Sequence, residues 1–268
     1  MKKILTILLI VALLAVFCFS GYQVVSYIIG SRQSAGQFDE LSQIVDQNRE
    51  ETRPAAPEDS QSTAPEETEG PATPTVPREI ASYAEVYALN NHTVGWIQIE
   101  DTKINYPVMQ TPEENDYYLK RDFNRQYSDW GCIYVREECD VNKPSDNVTI
   151  YGHNMSDGSM FAGLHKFIDK DYYEEHKLIY FDTLTEYHVY EIFAVFATTA
   201  SIDEGFRYHM MVDAANEAEF DEFIAQCREL AYFDTGIVPT YGDKIICLST
   251  CEYTHDNGRL VVAARRLY

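Results

Sequence analysis

The stretch CLSTCEYTHDNGRLVVAARR, residues 247–266, predicts two strands joined by a polar loop. Apolar residues surround Leu248 and resume at Leu260, and the sequence Asp-Asn-Gly at 256–258 is a strong turn signal. If the strands form an antiparallel hairpin, Cys251 and Arg259 flank its open end. From this stretch alone, Cys251 is either an inert strand-end residue or a nucleophile with Arg259 as its electrostatic partner.

Short segments rich in β-forming residues, separated by polar turns, continue upstream. Many short strands with turn signals between them are typical of a β-sandwich or barrel. The predicted strands are 94–99, 104–109, 131–136, 147–152, 178–182, 186–198, 243–250 and 259–267. The predicted helical segments are 115–121, 158–168, 214–230 and one that begins near residue 80. No internal repeat and no doubly wound strand–helix alternation is present.

Residues 1–32 predict a membrane anchor. No charged residue lies between Lys3 and Arg32, and about 20 apolar residues suffice to cross a bilayer. A cleaved signal peptide is the alternative, but no small-residue cleavage site follows the apolar run. Lys2 and Lys3 on the short side predict a cytoplasmic N-terminus, with the rest of the chain extracellular.

The anchor is followed by a predicted acidic stalk at 33–78 and by a folded domain at 79–268. Residues 33–52 are weakly helical, whereas 53–78 are rich in Pro, Glu, Thr and Ala, a composition that buries too little apolar surface to fold. The chain carries 43 acidic and 21 basic residues, a net charge of -22. Because such a charge repels phosphate, nucleic acid is not an expected partner.

The sequence pattern predicts that two cysteines of the hairpin lie along the same strand. Cys247 and Cys251 are expected on the same face of that strand. Four residues of extended chain separate their Cα atoms by about 13 Å, too far for a disulfide bond. The cysteines beyond the anchor are Cys132, Cys139, Cys227, Cys247 and Cys251, an odd number that leaves at least one free thiol. Cys227 shares an apolar helix face and is expected in the core.

His153 is the candidate proton carrier among the seven histidines. It follows the apolar strand NVTIYG, so it ends a strand as Cys251 does. His255, within the hairpin loop, is the alternative base. The histidines expected to be ordinary surface residues are His92, His176, His188 and His209. No metal-ligand spacing, P-loop or dinucleotide fingerprint is present, so neither a metal nor a cofactor is expected.

Three motifs, in this order, together resemble the sortase family. They are IYGHNM (150–155), LSTC (248–251) and Arg259 on the following strand. LSTC, ENDYYL (114–119) and the helical insert at 214–230 resemble class B most closely. The resemblance covers about residues 80–268 and extends to the anchor and stalk. It implies a mainly β fold, a closed eight-stranded barrel with peripheral helices.

This resemblance implies a membrane-anchored cysteine transpeptidase without a cofactor. Cys251 would attack a threonyl carbonyl in the C-terminal sorting signal of a secreted protein and form a thioacyl-enzyme. His153 would act as general acid and base, and Arg259 would stabilise the oxyanion. A peptidoglycan precursor would supply the resolving amine. Matching positions imply that Asn115, Leu119, Ser249, Thr250 and Glu252 lie along the substrate groove, with Phe206 as a further candidate.

One position departs from the family pattern, and alternative functions stay open. Threonine usually stands where this chain has Cys247, whose side chain is expected near Cys251. One alternative is a sorting-signal endopeptidase in which water resolves the thioester. The other is a non-enzymatic surface module built on the same barrel. A papain-like protease is disfavoured because there the cysteine precedes the histidine.

Overall fold

Eight strands form a closed barrel at the centre of the chain. The computed structural model describes residues 2–49, 80–111, 113–199, 201, 205–252 and 257–268. The strands are β1 (Thr93–Gln98), β2 (Asn105–Met109), β3 (Ile133–Val135), β4 (Asn147–Tyr151), β5 (Leu178–Thr183), β6 (Val189–Thr199), β7 (Ile245–Cys251) and β8 (Gly258–Arg266). Their order around the barrel is β1-β2-β3-β4-β7-β8-β6-β5. The expected barrel is confirmed, and every predicted strand overlaps an observed one.

Helices surround the barrel and connect its strands. The α-helices are α1 (Lys2–Arg49), α2 (Ala81–Leu89), α3 (Lys170–Glu175) and α4 (Glu217–Glu229). The 3₁₀ helices are Tyr117–Lys120, Ala162–Ile168 and Tyr208–Met210. The helical segments predicted near 115–121 and 158–168 are therefore 3₁₀ helices. Helix α3 was not predicted, and the Asp169 side chain caps it by accepting hydrogen bonds from two backbone amides of its first turn.

The strand order brings three strand ends to one edge of the barrel. Strands β4 and β7 are parallel neighbours in which Tyr151 pairs with Ser249. Strand β8 runs antiparallel to β7, and Cys251 pairs with Arg259. The carboxyl ends of β4 and β7 and the amino end of β8 therefore meet at the same edge.

Two apolar clusters lie on the two faces of this sheet. The barrel interior contains Ile246, Leu248 and Val262. On the outer face of β7 and β8, helix α4 covers a second cluster through Phe220, Phe223, Ile224 and Cys227. Cys227 is fully buried there, as its helical spacing predicts. Of the residues of β7, Ile245 and Cys247 belong to this cluster, whereas Cys251 at the end of the strand is partly exposed.

Helix α1 has an exposed apolar half and a half that packs on the barrel. Its apolar residues between Ile4 and Ile29 are exposed, and by length and composition the helix is a candidate membrane span. Further along the helix, Phe38, Leu41 and Val45 are buried in the barrel-side cluster. The beginning of the predicted stalk is thus helical and packed against the domain. Most of the predicted stalk, residues 50–78, lies outside the described residues, as does residue 79.

Candidate active site

One open cavity lies at the barrel edge where the three strand ends meet. Its volume is about 260 Å³. Gly152 permits this junction because a Cβ added there would lie 2.5 Å from the Ile133 side chain and 2.7 Å from the Phe161 ring. The residues that line the cavity are Asp116, Leu119, Tyr134, Arg136, Glu137, Tyr151, Gly152, His153, Tyr208, His209, Ser249, Thr250, Cys251 and Arg259.

Cys251 is a free, partly exposed thiol at the last position of β7. Two side chains contact its backbone carbonyl: Asn154 Nδ2 lies 3.1 Å and His165 Nε2 lies 3.0 Å from that oxygen. Asn154 directly follows His153 in the chain. The backbone of the candidate nucleophile is therefore tied to the loop that carries the candidate proton carrier.

His153 follows β4 and is partly buried in the cavity wall. Its Nε2 donates a hydrogen bond to the Leu119 carbonyl at 2.7 Å, which leaves Nδ1 as the basic nitrogen of the neutral ring. Burial lowers the pKa of His153 below its usual value, and nearby Lys120 lowers it further, whereas the Leu119 carbonyl and Asp129 raise it. The imidazole is therefore mainly neutral at pH 7.

Arg259 stands opposite Cys251 across the β7–β8 ladder. Directly paired residues of antiparallel strands have Cβ atoms about 5 Å apart. Its Nη1 donates to the carbonyls of Gly258, at 2.9 Å, and Asn257, at 3.3 Å. A guanidinium has five N–H donors, so the contacts that Nη1 makes with described residues leave other donors of Arg259 for an anion in the cavity.

Three of the five predicted groove residues line the cavity. Leu119 and Ser249 contribute side chains next to the strand ends, and the Ser249 hydroxyl lies 2.6 Å from the Tyr208 hydroxyl. Thr250 also lines the cavity, and its hydroxyl donates to the Gly152 carbonyl at 2.8 Å. This last bond ties the carboxyl ends of β4 and β7 together.

The other two predicted groove residues lie outside the cavity lining. Asn115 is exposed in the loop before the 3₁₀ helix Tyr117–Lys120. Glu252 is largely buried, and its backbone amide donates to the Gly258 carbonyl at 2.9 Å. The roles predicted for these two residues stay predictions. His255, the alternative base, lies outside the described residues.

Two expectations about individual side chains are wrong, and a third stays a prediction. Cys247 shares a strand face with Cys251, but α4 covers it, so it is fully buried in the outer-face cluster and burial raises the pKa of its thiol. Phe206 packs on the rings of Phe196 and Phe223, and its place along the groove stays a prediction. His188, expected at the surface, is only 8% exposed.

The sequence pattern missed several cavity residues. His209 was expected to be an ordinary surface residue, yet it lines the cavity, where burial lowers its pKa. Tyr134 donates to Asp116 at 2.7 Å and packs at 5.4 Å on the Tyr151 ring. His165, which contacts the Cys251 carbonyl, was not singled out either. The strand assignment already places Tyr151 and Ser249 at the ends of their strands. His209 lies in the segment after β6, and it reaches this edge only because the barrel closes and that segment passes the cavity.

A metal centre has no counterpart in the described part of the chain. Within residues 2–49, 80–111, 113–199, 201, 205–252 and 257–268, no group of three His, Cys, Asp or Glu side chains is arranged to hold a metal ion. The cavity itself presents a thiol, an imidazole and a guanidinium.

Comparison with known proteins identifies the family of this barrel. The Sortase domain family matches residues 97–267. Sortase B of Listeria monocytogenes is 35% identical over 185 residues, which cover 68% of this chain and 72% of that protein. Sortase B of Staphylococcus aureus is 26% identical over 271 residues, covering 99% of this chain and 97% of that protein.

Solved structures show the same architecture. Sortase B from Bacillus anthracis has a TM-score of 0.70 and 30% identity, with 89% of this chain and 98% of that chain covered. A Staphylococcus aureus sortase B–substrate complex has a TM-score of 0.72 at 24% identity, with 89% and 98% covered; at this identity the likeness concerns the fold. The chain therefore belongs to the sortase family and, within it, to the class B enzymes, which are cysteine transpeptidases.

Proposed function

We propose that this protein is anchored in the cell membrane and attaches secreted proteins to the cell wall through a thioacyl-enzyme on Cys251. Its substrates are proteins with a C-terminal sorting signal, and its acceptor is an amine of a peptidoglycan precursor. The observation that carries the proposal is the single cavity lined by His153, Cys251 and Arg259. A thiol, a proton carrier and a fixed cation are the groups that acyl transfer through a thioester requires.

The first half-reaction forms the thioester. His153 accepts the proton of the Cys251 thiol, and the sulfur bonds to the carbonyl carbon of the scissile peptide bond. The carbonyl oxygen becomes an oxyanion, for which N–H groups of Arg259 are donors. When the C–N bond breaks, His153 returns its proton to the leaving amine, so the leaving peptide departs neutral and the acyl group stays on Cys251.

The second half-reaction transfers the acyl group. The acceptor amine attacks the thioester carbon and gives a proton to His153 as its N–C bond forms. The C–S bond then breaks, and the Cys251 thiolate takes the proton back from His153. The enzyme returns to its starting state, and one amide has been exchanged for another.

The exposed apolar half of α1 supports the membrane anchor. We propose a single-pass topology in which Lys2 and Lys3 remain cytoplasmic and the barrel lies outside the cell, because basic residues favour the cytoplasmic side. The strongly acidic composition of the chain gives no support for a nucleic-acid partner.

Mass spectrometry tests this proposal directly. The full chain, in detergent micelles, is incubated with a panel of sorting-signal peptides, with and without an amine acceptor. A mass increase that maps to Cys251, followed by an amide product, is the expected result. Free acid as the only product in the presence of amine would favour the endopeptidase, and no adduct with any peptide would contradict the proposal.

Substitutions separate the three roles. Cys251→Ala should abolish the adduct, whereas Cys18→Ala, which alters an exposed cysteine of α1, should leave it unchanged. His153→Ala and Arg259→Ala should each lower kcat/KM by about 10²-fold or more. Arg259→Lys should restore little of this loss, because a compact ammonium lacks the planar fork of donors with which a guanidinium contacts the loop carbonyls and the oxyanion together.

A further inference from the structure

Helix α1 contacts one aromatic residue, Trp130, in the connection between the 3₁₀ helix Tyr117–Lys120 and β3. A Cβ added to Gly30 would lie 2.6 Å from the Trp130 ring, so glycine is required for this close approach. One turn earlier, the Tyr27 ring lies 5.3 Å from the Trp130 ring, centroid to centroid. Beyond Gly30, the buried Phe38 continues the same helix face onto the barrel. The helix is therefore fitted closely to this residue.

Asp157 joins that helix to the loop that follows β4. We call residues 152–161 the histidine loop, since it contains His153. The Asp157 Oδ2 accepts hydrogen bonds from Ser31 Oγ of α1 at 2.6 Å and from Trp130 Nε1 at 2.8 Å. Its Oδ1 accepts from the backbone amide of Ser159 at 3.0 Å. Asp157 lies four positions after His153 in this loop.

The charge state of Asp157 strengthens these hydrogen bonds. Partial burial opposes its ionisation, but hydrogen bonds from Ser159, Ser31 and Trp130 outweigh burial and lower the pKa to about 2. The group is thus a carboxylate throughout the physiological pH range, and its acceptor bonds to α1 and Trp130 are charge-assisted.

The histidine loop and the chain segment that contains Trp130 are in contact a second time, at His153 itself. Trp130 belongs to the connection between the 3₁₀ helix Tyr117–Lys120 and β3, and the Leu119 carbonyl in that helix accepts the His153 hydrogen bond. Lys120 and Asp129 form an ion pair across the connection at 3.0 Å. The orientation of the His153 ring and the position of Asp157 therefore depend on one connected piece of chain.

We infer that Asp157 is a positioning residue for His153: its carboxylate fastens the histidine loop to Trp130 and to Ser31, so that α1 forms part of the framework of the active site. The inference rests on the proposed function, in which His153 carries the proton. An anchor helix in this arrangement does more than hold the enzyme at a membrane, because undocking it also releases the loop that orients the imidazole.

Point substitutions in the full chain, in detergent micelles, test this inference. Gly30→Ala introduces a clash with Trp130, and Gly36→Ala is the matched control because a Cβ there meets nothing within 4 Å. Ser31→Ala removes one donor to Asp157, and its control is Ser42→Ala, whose exposed hydroxyl donates to the Asp39 carbonyl of the same helix. Asp157→Asn removes the charge and keeps the size.

Misplacement of the imidazole should lower kcat. We expect Gly30→Ala, Ser31→Ala and Asp157→Asn each to lower kcat about tenfold while KM stays within about twofold. Ser31→Ala and Asp157→Asn act on the same bond, so the double variant should be less impaired than the product of the two single effects. Both controls should match the wild type.

A readout that needs no sorting peptide separates this inference from the proposed function. The His153 imidazole is titrated by NMR, and Cys251 is alkylated with iodoacetamide over a range of pH. In Ser31→Ala and Asp157→Asn the His153 pKa should move toward 6.5 and the alkylation profile should shift with it. If both profiles coincide with those of Ser42→Ala, or if only the unfolding temperature changes, the positioning role is wrong. A wild-type enzyme without transfer activity would instead overturn the proposed function alone.

Discussion

At the scale of single residues, two cysteines with similar sequence contexts differ in their position along a strand and in whether a helix covers them. Cys247 and Cys251 lie on the same face of β7, but α4 covers the first and leaves the second at the cavity. Burial raises the pKa of the Cys247 thiol, and a thiolate is the reactive form. Reactivity is therefore expected at Cys251 and not at Cys247.

Cys247→Thr should be tolerated. Thr149 of β4 pairs with Cys247, and its buried hydroxyl finds no hydrogen-bond partner among the described residues. A threonine at 247 offers that hydroxyl a partner, so the free energy of unfolding should stay within about 1 kcal/mol of the wild type. Urea denaturation and the thioacyl assay measure the two effects. A loss of adduct as complete as in Cys251→Ala would show that the thiols share the chemistry.

The pKa of His153 should lie below 6.5 in an NMR titration. Burial disfavours the imidazolium, and the nearest charges modulate this effect in opposite directions. Lys120→Ala removes a cation and should raise the pKa, whereas Asp129→Asn removes an anion and should lower it. Because Lys120 and Asp129 are both about half exposed, the two changes should shrink at high salt. Shifts of the same sign in both variants would contradict this assignment of causes.

At the scale of elements, the parallel pair β4–β7 determines where the site forms. Parallel strands end at the same edge, and the Thr250 hydroxyl ties them there through the Gly152 carbonyl. The β7–β8 ladder then adds Arg259 opposite Cys251. Residues about 100 positions apart in the chain are neighbours for this reason alone.

Gly152→Ala should damage this junction. The added methyl group overlaps the Ile133 and Phe161 side chains, and overpacking of this kind costs about 1–3 kcal/mol. Gly163→Ala is the control, since its Cβ meets only the Ile104 side chain at 4.0 Å. Circular dichroism should show a lower unfolding temperature for Gly152→Ala, and kcat/KM should fall with it. Equal stability and activity of the two variants would disprove the packing argument.

At the scale of the whole molecule, the folded unit extends into the helix that begins at the N-terminus. Phe38, Leu41 and Val45 of α1 are at most 5% exposed, and the Phe38 ring contacts Tyr106 of the barrel at 5.1 Å. The predicted domain, residues 79–268, lacks these three side chains. The barrel surface that they cover would then face water.

A chain of residues 30–268 should therefore be more stable than one of residues 79–268. Burial of a large apolar side chain contributes about 1.5–3 kcal/mol, so loss of the three should cost at least about 4.5 kcal/mol. Guanidinium denaturation of the two chains measures the difference. The triple variant Phe38→Ser, Leu41→Ser, Val45→Ser in the longer chain is the control and should lose a similar amount. Equal midpoints for both chains would place the domain boundary at residue 79.

The local pattern of the chain was sufficient for most strands and for the strand-end positions of His153, Cys251 and Arg259, whereas the roles predicted for these three residues came from the resemblance of their motifs to the sortase family. Alternating apolar residues, the Asp-Asn-Gly turn and the strand-end positions of His153 and Cys251 are short-range features. The 3₁₀ segments were predicted as helices, but not specifically as 3₁₀ helices. Helix α3 was missed because it has only six residues. His209 was missed because nothing near it in the chain signals a cavity.

The sequence by itself determined that this protein has a barrel of short strands, an apolar N-terminal segment, and a thiol, an imidazole and a guanidinium at strand ends. Only the tertiary structure decided that Cys247 is covered, that His209 and Tyr208 join the cavity, and that α1 docks beside the histidine loop. The physical reason is the distance along the chain over which each feature is determined. Strand periodicity and turns depend on neighbouring residues, whereas cover by α4, barrel closure and the fit of Gly30 to Trp130 depend on surfaces that meet only when the chain is folded.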